Sequence, residues 1–324
     1  MTHAIRIHQT GGPEVLKWDK VEVGKPGPGQ VRLRQTACGL NFIDVYLRTG
    51  VYPVAALPAI LGMEAAGVVE ELGDGVTDLT VGDRVAYAMV VGGYAEHRII
   101  DARHLVKLPD AIDDQTAATM MLKGLTAHYL LFRTYPVQAG DTILVYAASG
   151  GVGLMLCQWA KHLGATVIGC VGSTEKAELA MANGCDHPVF YREENIVERV
   201  RELTDGKGVP VVYDAIGQQT FESSLDCLRP FGVMVTYGNI TGKVQPLDPN
   251  ILAAKGSLYV TRPTLATHVS TRELLIEGAN RLIDVISKGI VKNHVNQSYA
   301  LENTAQAHRD MEARKTTGST VLLP

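Results

Sequence analysis

The spacing of apolar residues changes character once along the chain, near residue 113. Before that point, short runs alternate apolar and polar positions and are cut every few residues by Gly or Pro. Alternation with period two puts successive side chains on opposite faces of a strand, and it predicts strands over 4–9, 15–23, 31–37, 65–71, 84–89 and 94–100. Gly24-Lys25-Pro26-Gly27-Pro28-Gly29 is the clearest turn among them. Together these pieces predict an irregular, β-barrel-like domain.

Beyond residue 113 the pattern is different. Asp113 or Asp114 caps a predicted helix that runs through Met120 to Leu130 and stops before Pro136. Apolar, β-branched strands (143–147, 166–171, 188–191, 209–215, 233–237, 258–261) then alternate with helices (151–163, 174–182, 196–204, 219–228, 250–254). Six strands alternating with helices predict an α/β fold built on a doubly wound parallel sheet of the Rossmann type. After Pro263, an amphipathic helix over 272–287, two strand-like pieces and a helix over 305–314 are too few for a third core. They are expected to rejoin the first domain, giving a β-rich domain of 1–125 with 262–324 and a nucleotide domain of 126–261.

Composition narrows the function. The chain has 324 residues, 46% hydrophobic and 20% charged, with a net charge of −4 and no Lys/Arg block. Nucleic acid and anionic membranes are therefore not expected partners. The uncharged run 142–160 is long enough to suggest a membrane span, but Ser149-Gly150-Gly151-Val152-Gly153 in its middle reads as a turn between a buried strand and a packed helix. No export signal is visible. Five widely spaced cysteines without a C-x-x-C pair suit reduced thiols in a cytoplasmic protein.

The same glycine turn carries the first candidate chemistry. Ala148-Ser149-Gly150-Gly151-Val152-Gly153 matches G-x-G-x-x-G with its first glycine replaced by Ala148. Gly150 lets the backbone approach a pyrophosphate, Gly153 lets helix and strand pack, and the helix N-terminus offers unpaired N–H groups. A serine-hydrolase elbow at Ser149 would need an acid and then a histidine after later strands. Asp214 qualifies as the acid, but the nearest following histidine, His268, lies outside the alternating region.

Sheets that bind NAD place Asp or Glu about 20 residues beyond the turn, on the ribose 2′-hydroxyl. Here that position is Gly172, followed by Ser173 and Lys176, with Tyr191 at the end of the third strand. A missing carboxylate with an added cation and hydroxyls predicts NADPH. Gly217, Tyr237, Gly238 and Asn239 follow later strands at the carboxyl edge, where ligands sit in such sheets, although turn chemistry alone would also place glycine there.

The domain order, with Gly62-Met63-Glu64-Ala65-Ala66-Gly67, Val81-Gly82-Asp83-Arg84-Val85 and Gly92-Gly93-Tyr94-Ala95-Glu96, resembles the medium-chain dehydrogenase/reductase superfamily over essentially the whole chain. The resemblance implies that the β-rich domain is GroES-like and catalytic. Zinc-dependent members carry Cys-Gly-x-Cys and Gly-His-Glu where this chain has Asn41 and Met63. Neither residue belongs to the N/S donor set of catalytic zinc, so no metal is expected.

Asn41-Phe42-Ile43-Asp44-Val45-Tyr46, Arg48-Thr49-Gly50-Val51-Tyr52-Pro53, Leu122-Lys123-Gly124-Leu125-Thr126-Ala127 and Tyr259-Val260-Thr261-Arg262-Pro263 resemble zeta-crystallin-like NADPH:quinone oxidoreductases more closely. That resemblance implies NADPH bound between two domains, quinone reduction without metal or flavin, and a cytoplasmic homodimer, with the sheet's last strand as a pairing edge.

An electron-poor quinone needs only a positioned hydride donor, an apolar slot and stabilisation of the emerging oxyanion. Asn41, Tyr46, Tyr52 and Thr126 are the candidate neutral donors, with the tyrosines also able to stack on a planar ring. Ordinary packing of Tyr52 beside Pro53, and capping by Asn41, are the plainer roles. The alternatives are an NADPH-dependent enone or enoyl reductase, and an NADPH-binding protein without turnover, crystallin-like or RNA-associated.

Overall fold

The computed structural model describes residues 2–324, which form two compact units. The first comprises the chain up to Leu125 with Val269–Ser287 and Asn293–Pro324; the second comprises Thr126–His268 and Lys288–Lys292. The division falls inside one helix, Asp114–Tyr129.

The second unit holds a six-stranded, wholly parallel sheet. Across it lie His187–Phe190, Thr166–Val171, Thr142–Val145, Val209–Asp214, Leu228–Thr236 and Tyr259–Thr261. In chain order within this sheet the arrangement is 3-2-1-4-5-6, so the direction of winding reverses between the first and fourth strands. That reversal opens the crevice in which doubly wound sheets bind ligands. Strands buried on both faces are continuously apolar, and all six residues of Val209–Asp214 are buried.

In the first unit, a seven-stranded sheet runs Val295–Ala300, Ser319–Leu323, Gln30–Leu40, Glu64–Leu72, Arg84–Ala88 and Val106–Lys107, with His97–Asp101 also paired to Gln30–Leu40. A small sheet of Lys17–Val21, Thr2–Ile7 and Ala59–Ile60 accompanies it. The C-terminal strand pairs antiparallel with the long Gln30–Leu40, Leu322 opposite Cys38, so the end of the chain completes the first unit's sheet. The core between these sheets includes Met63, Tyr87, Tyr94 and Leu322. Gly124 admits the helix Arg272–Ser287, because a Cβ there would lie 2.3 Å from Leu282.

Some local expectations are corrected. The helix Phe42–Thr49 was not anticipated: Asp44 reaches back to the Asn41 N–H at 2.9 Å, and Gly50 ends the helix with φ +79°. The strand expected over 15–23 begins only at Lys17, because Pro13–Val15 winds a 3₁₀ turn. Tyr94 lies outside its expected strand, which spans His97–Asp101. The helix expected over 219–228 is only Phe221–Asp226, and the next strand starts at Leu228 rather than 233. All five cysteines are buried and unpaired. No helix among the described residues is long and apolar enough to cross a membrane.

Candidate active site

In the second unit the glycine turn joins Thr142–Val145 to the helix Gly151–His162. Ala147 turns the chain with φ +52°, and Gly150 N–H closes the turn on the Ala147 carbonyl at 2.9 Å. Ala148 occupies the place of the first glycine because its methyl packs over Gly169, where a Cβ would come within 2.8 Å of it. At Gly153 a Cβ would fall 2.2 Å from the Ala147 carbonyl oxygen, so this position admits only glycine. Gly150 is the N-cap and offers no side chain, leaving the first N–H groups of the helix, from Gly151 and Val152 onward, to a ligand. Ser149 is buried in the turn.

The residues expected at a 2′-phosphate lie beyond the second and third strands of this sheet. The Tyr191 hydroxyl lies 2.8 Å from where a Gly172 Cβ would stand, so strand end and phenol meet. The Arg192 guanidinium lies 5.7 Å from the Tyr191 ring. Ser173 caps the helix Thr174–Met181 by accepting from Lys176 N–H at 3.4 Å, which places Lys176 in its first turn.

Gly217 and Gly238 have an evident structural cause. A Gly217 Cβ, at φ +94°, would meet the Gly242 carbonyl at 2.7 Å, and a Gly238 Cβ would meet the Ala215 carbonyl at 2.1 Å. Their two loops zip together, and Asp214 pins one by accepting from the N–H groups of Ile216 and Gly217 and the hydroxyls of Thr220 and Ser224. Asp214 is thus fully engaged as a loop anchor. Tyr237 N–H donates to the Asp214 carbonyl, with Asn239 two residues on, and the neighbouring Thr236 hydroxyl is buried without a partner. An uncapped helix terminus, a glycine cradle and an orphan hydroxyl at the strand ends fit a phosphorylated dinucleotide. Thr126 is buried in the last turn of the helix Asp114–Tyr129.

In the first unit Tyr46 and Tyr52 meet, and Asn41 stands at the start of the helix that carries Tyr46. Phe42, Tyr46 and Tyr52 form an aromatic row, with centroids 6.5 and 5.2 Å apart, the second pair edge to face. Asn41 is the N-cap of the helix Phe42–Thr49, and its amide Nδ2 donates to Glu64 Oε2 at 2.9 Å. Glu64 is wholly buried; it also accepts the Leu122 N–H at 2.7 Å and pairs with the Lys123 ammonium at 3.5 Å. Burial pushes the Glu64 carboxyl upward, and Lys123 is the strongest opposing influence. Gly39 makes room, since a Cβ would lie 2.2 Å from the Ala118 carbonyl and 2.5 Å from Glu64.

Where the resemblance would put zinc ligands there are therefore an amide, Asn41, and a thioether, Met63, with the Glu64–Lys123 ion pair next to them. Among the described residues, no three His, Cys, Asp or Glu side chains are grouped to hold a metal ion.

Glu64, Lys123, Asp44 and Tyr94 carry this polar cluster, and in the sequence they stand out only as parts of family motifs. The available signal was a charge inside an apolar stretch: Glu64 before Ala65-Ala66-Gly67, and Lys123 within Met120-Met121-Leu122-Lys123-Gly124-Leu125.

A unit with a parallel 3-2-1-4-5-6 sheet and a glycine phosphate turn, in one chain with a GroES-like unit, defines a medium-chain dehydrogenase/reductase. Residues 27–110 match the alcohol dehydrogenase GroES-like domain, and 151–276 match the zinc-binding dehydrogenase domain. The chain is 51% identical to a quinone oxidoreductase of Pseudomonas aeruginosa and 47% identical to a 2-haloacrylate reductase of Burkholderia, covering all of this chain and 100% and 99% of those proteins. The crystal structure of Escherichia coli quinone oxidoreductase complexed with NADPH superimposes with a TM-score of 0.98 at 46% identity, over 99% of this chain and all of that one. The chain belongs to the quinone oxidoreductase family of that superfamily.

Proposed function

We propose that this protein reduces quinones with NADPH, using neither metal nor flavin. The observation that carries the proposal is the exchange of a zinc donor set for Asn41, Met63 and the buried Glu64–Lys123 pair, within a chain 51% identical to a quinone oxidoreductase. Alcohol oxidation calls for a Lewis acid or base to take the hydroxyl proton, whereas a quinone accepts a hydride without a metal, needing only a neutral donor for the oxyanion that forms.

NADPH, when bound, supplies the hydride. Gly150 to Gly153 would hold its pyrophosphate on the helix terminus, and Ser173, Lys176 and Tyr191 its 2′-phosphate. Tyr46 and Tyr52 would offer the acceptor an aromatic wall. Asn41 has two amide hydrogens; Glu64 takes one, and the other would donate to the oxyanion formed on the acceptor. Thr126 is the remaining neutral donor. Asn41→Ala and Tyr52→Phe are expected to lower quinone turnover while leaving NADPH affinity nearly intact. Unchanged kinetics in both would remove them from the site.

Reduction of a conjugated C=C is the second reading, supported by the 47% identity to a 2-haloacrylate reductase. Steady-state rates with 1,4-benzoquinone against an alkenal separate the two.

We also propose a cytoplasmic homodimer. Tyr259–Thr261 is an edge strand, and the exposed side chains of Tyr259 and, on the adjacent strand, Phe231 support pairing there. Sedimentation showing only monomer would reject the dimer, and fractionation of the source cells tests the location.

A further inference from the structure

Two carboxyl groups, Asp44 and Glu64, are wholly buried on either side of Asn41 in the first unit. Their environments differ. Glu64 uses both oxygens and receives three donors, one of them the Lys123 ammonium. Asp44 receives two neutral donors on a single oxygen: Tyr94 Oη at 2.8 Å and Asn41 N–H at 2.9 Å, both on Oδ2. Its Oδ1 is buried and has no hydrogen-bond partner.

An anionic oxygen left bare in a dry interior is far costlier than a hydroxyl missing one acceptor. One ammonium neutralises one carboxylate, and the geometry gives it to Glu64. We propose that the Asp44–Glu64 pair shares a single proton in the active protein, seated on Asp44, and that turnover at Asn41 requires this proton. The inference rests on the role of Asn41 given above. With Asp44 neutral, the cluster with Glu64 and Lys123 sums to zero charge. With Asp44 ionised it carries −1 beneath the donor that must stabilise an oxyanion, and the like charge opposes the reaction.

The hydrogen bonds behind Asp44 have a fixed direction. Arg48 donates to His308 Nδ1 at 3.2 Å, so the imidazole proton sits on Nε2, facing Tyr94 Oη at 3.4 Å. Burial, with Arg48 beside it, holds His308 down at about 3 and so neutral. The Tyr94 proton is thereby aimed at Asp44. The other groups facing Asp44 are Glu64, Lys123 and Cys38, whose thiol burial pushes up to about 12. Burial likewise raises the Asp44 carboxyl to about 7, with Tyr94, the Asn41 N–H and Lys123 pulling it down and Glu64 raising it.

The test has two arms. Infrared difference spectra of the purified protein, with no acceptor present, compare wild type with Asp44→Asn at pH 6. A protonated-carboxyl stretch lost in the variant is expected, and its absence overturns the proposal whatever the quinone assay gives. In the second arm, kcat with NADPH and duroquinone is followed from pH 5.5 to 9. Wild type should fall about tenfold per pH unit above its midpoint near 7. Asp44→Asn should lack this limb whatever its absolute rate, and Tyr94→Phe should move the limb up by about one pH unit, because the phenol favours the ionised form. A basic limb that persists in Asp44→Asn overturns the requirement for the proton. A carboxyl band present in a protein that reduces no quinone would instead refute the quinone function and leave the proton where it is placed.

Discussion

Replacing Glu64 by Gln isolates the buried ion pair. The side chain keeps its shape but loses its charge, so the Lys123 ammonium, 7% exposed, keeps as hydrogen-bond partners the carbonyls of Leu40 and Thr119, both 3.4 Å away, and as a nearby acid only Asp44, which does not bond to it. Removing one partner of a buried pair costs about 3–5 kcal/mol. A second penalty arises at the amide. Glu64 accepts on both oxygens, from Leu122 N–H and Asn41 Nδ2. Gln has one acceptor, so satisfying Leu122 turns its NH₂ toward the Asn41 donor, at about 1–3 kcal/mol. These penalties overlap, and Glu64→Gln should lose about 4 kcal/mol in urea unfolding at pH 7. Adding Lys123→Met removes the stranded charge, so the double variant should recover to within about 2 kcal/mol of wild type. The coupling is the informative quantity, because additive single losses would mean that the two charges do not interact. A Glu64→Gln loss below about 1 kcal/mol would refute the claim that a dry ion pair lies where zinc sits in relatives.

Gly153→Ala drives a methyl to 2.2 Å from the Ala147 carbonyl, against backbone that cannot yield locally, and should cost about 3 kcal/mol of unfolding free energy and most NADPH binding; unaltered calorimetric affinity would contradict the turn geometry. Lys176→Ala combined with Tyr191→Phe should raise the NADPH Kd about tenfold and leave NADH within about twofold, and an equal loss for both nucleotides would exclude a 2′-phosphate role. Asp44 should also appear in the pH dependence of stability. Its folded-state value is raised above the ordinary 3.8 to about 7, so its contribution is complete below about pH 4 and is lost as pH rises to about 7, by up to about 4 kcal/mol. Asp44→Asn should therefore gain stability relative to wild type across that window, and a pH-independent difference in urea titrations would argue against the raised value.

What the sequence disclosed, and what it withheld, follows from the range of the interactions involved. The parallel sheet was legible because each strand is apolar over its whole length and each helix begins at a local signal, as with the uncharged 142–160 run broken at Ser149-Gly150-Gly151. The glycine turn was legible because Gly150 and Gly153 meet their constraints within a few residues, at Ala147 and Ala148. Gly217 and Gly238 have constraints from partners more than twenty residues away, so a ligand role and a packing role looked alike in sequence. The polar cluster lies at the far end of this scale. Asn41 and Glu64 are 23 residues apart, Glu64 and Leu122 58, and Tyr94 and His308 214. No spacing rule joins them. Asn41 was singled out because a neutral amide stands where relatives have a metal ligand, but the sequence could not show that the charge lost with the metal is met by Lys123 from another element. That substitution also explains why the cluster tolerates two carboxyl groups: once Lys123 is committed to Glu64, the second acid keeps its proton, and the chemistry at Asn41 acquires a dependence on pH that no motif encodes.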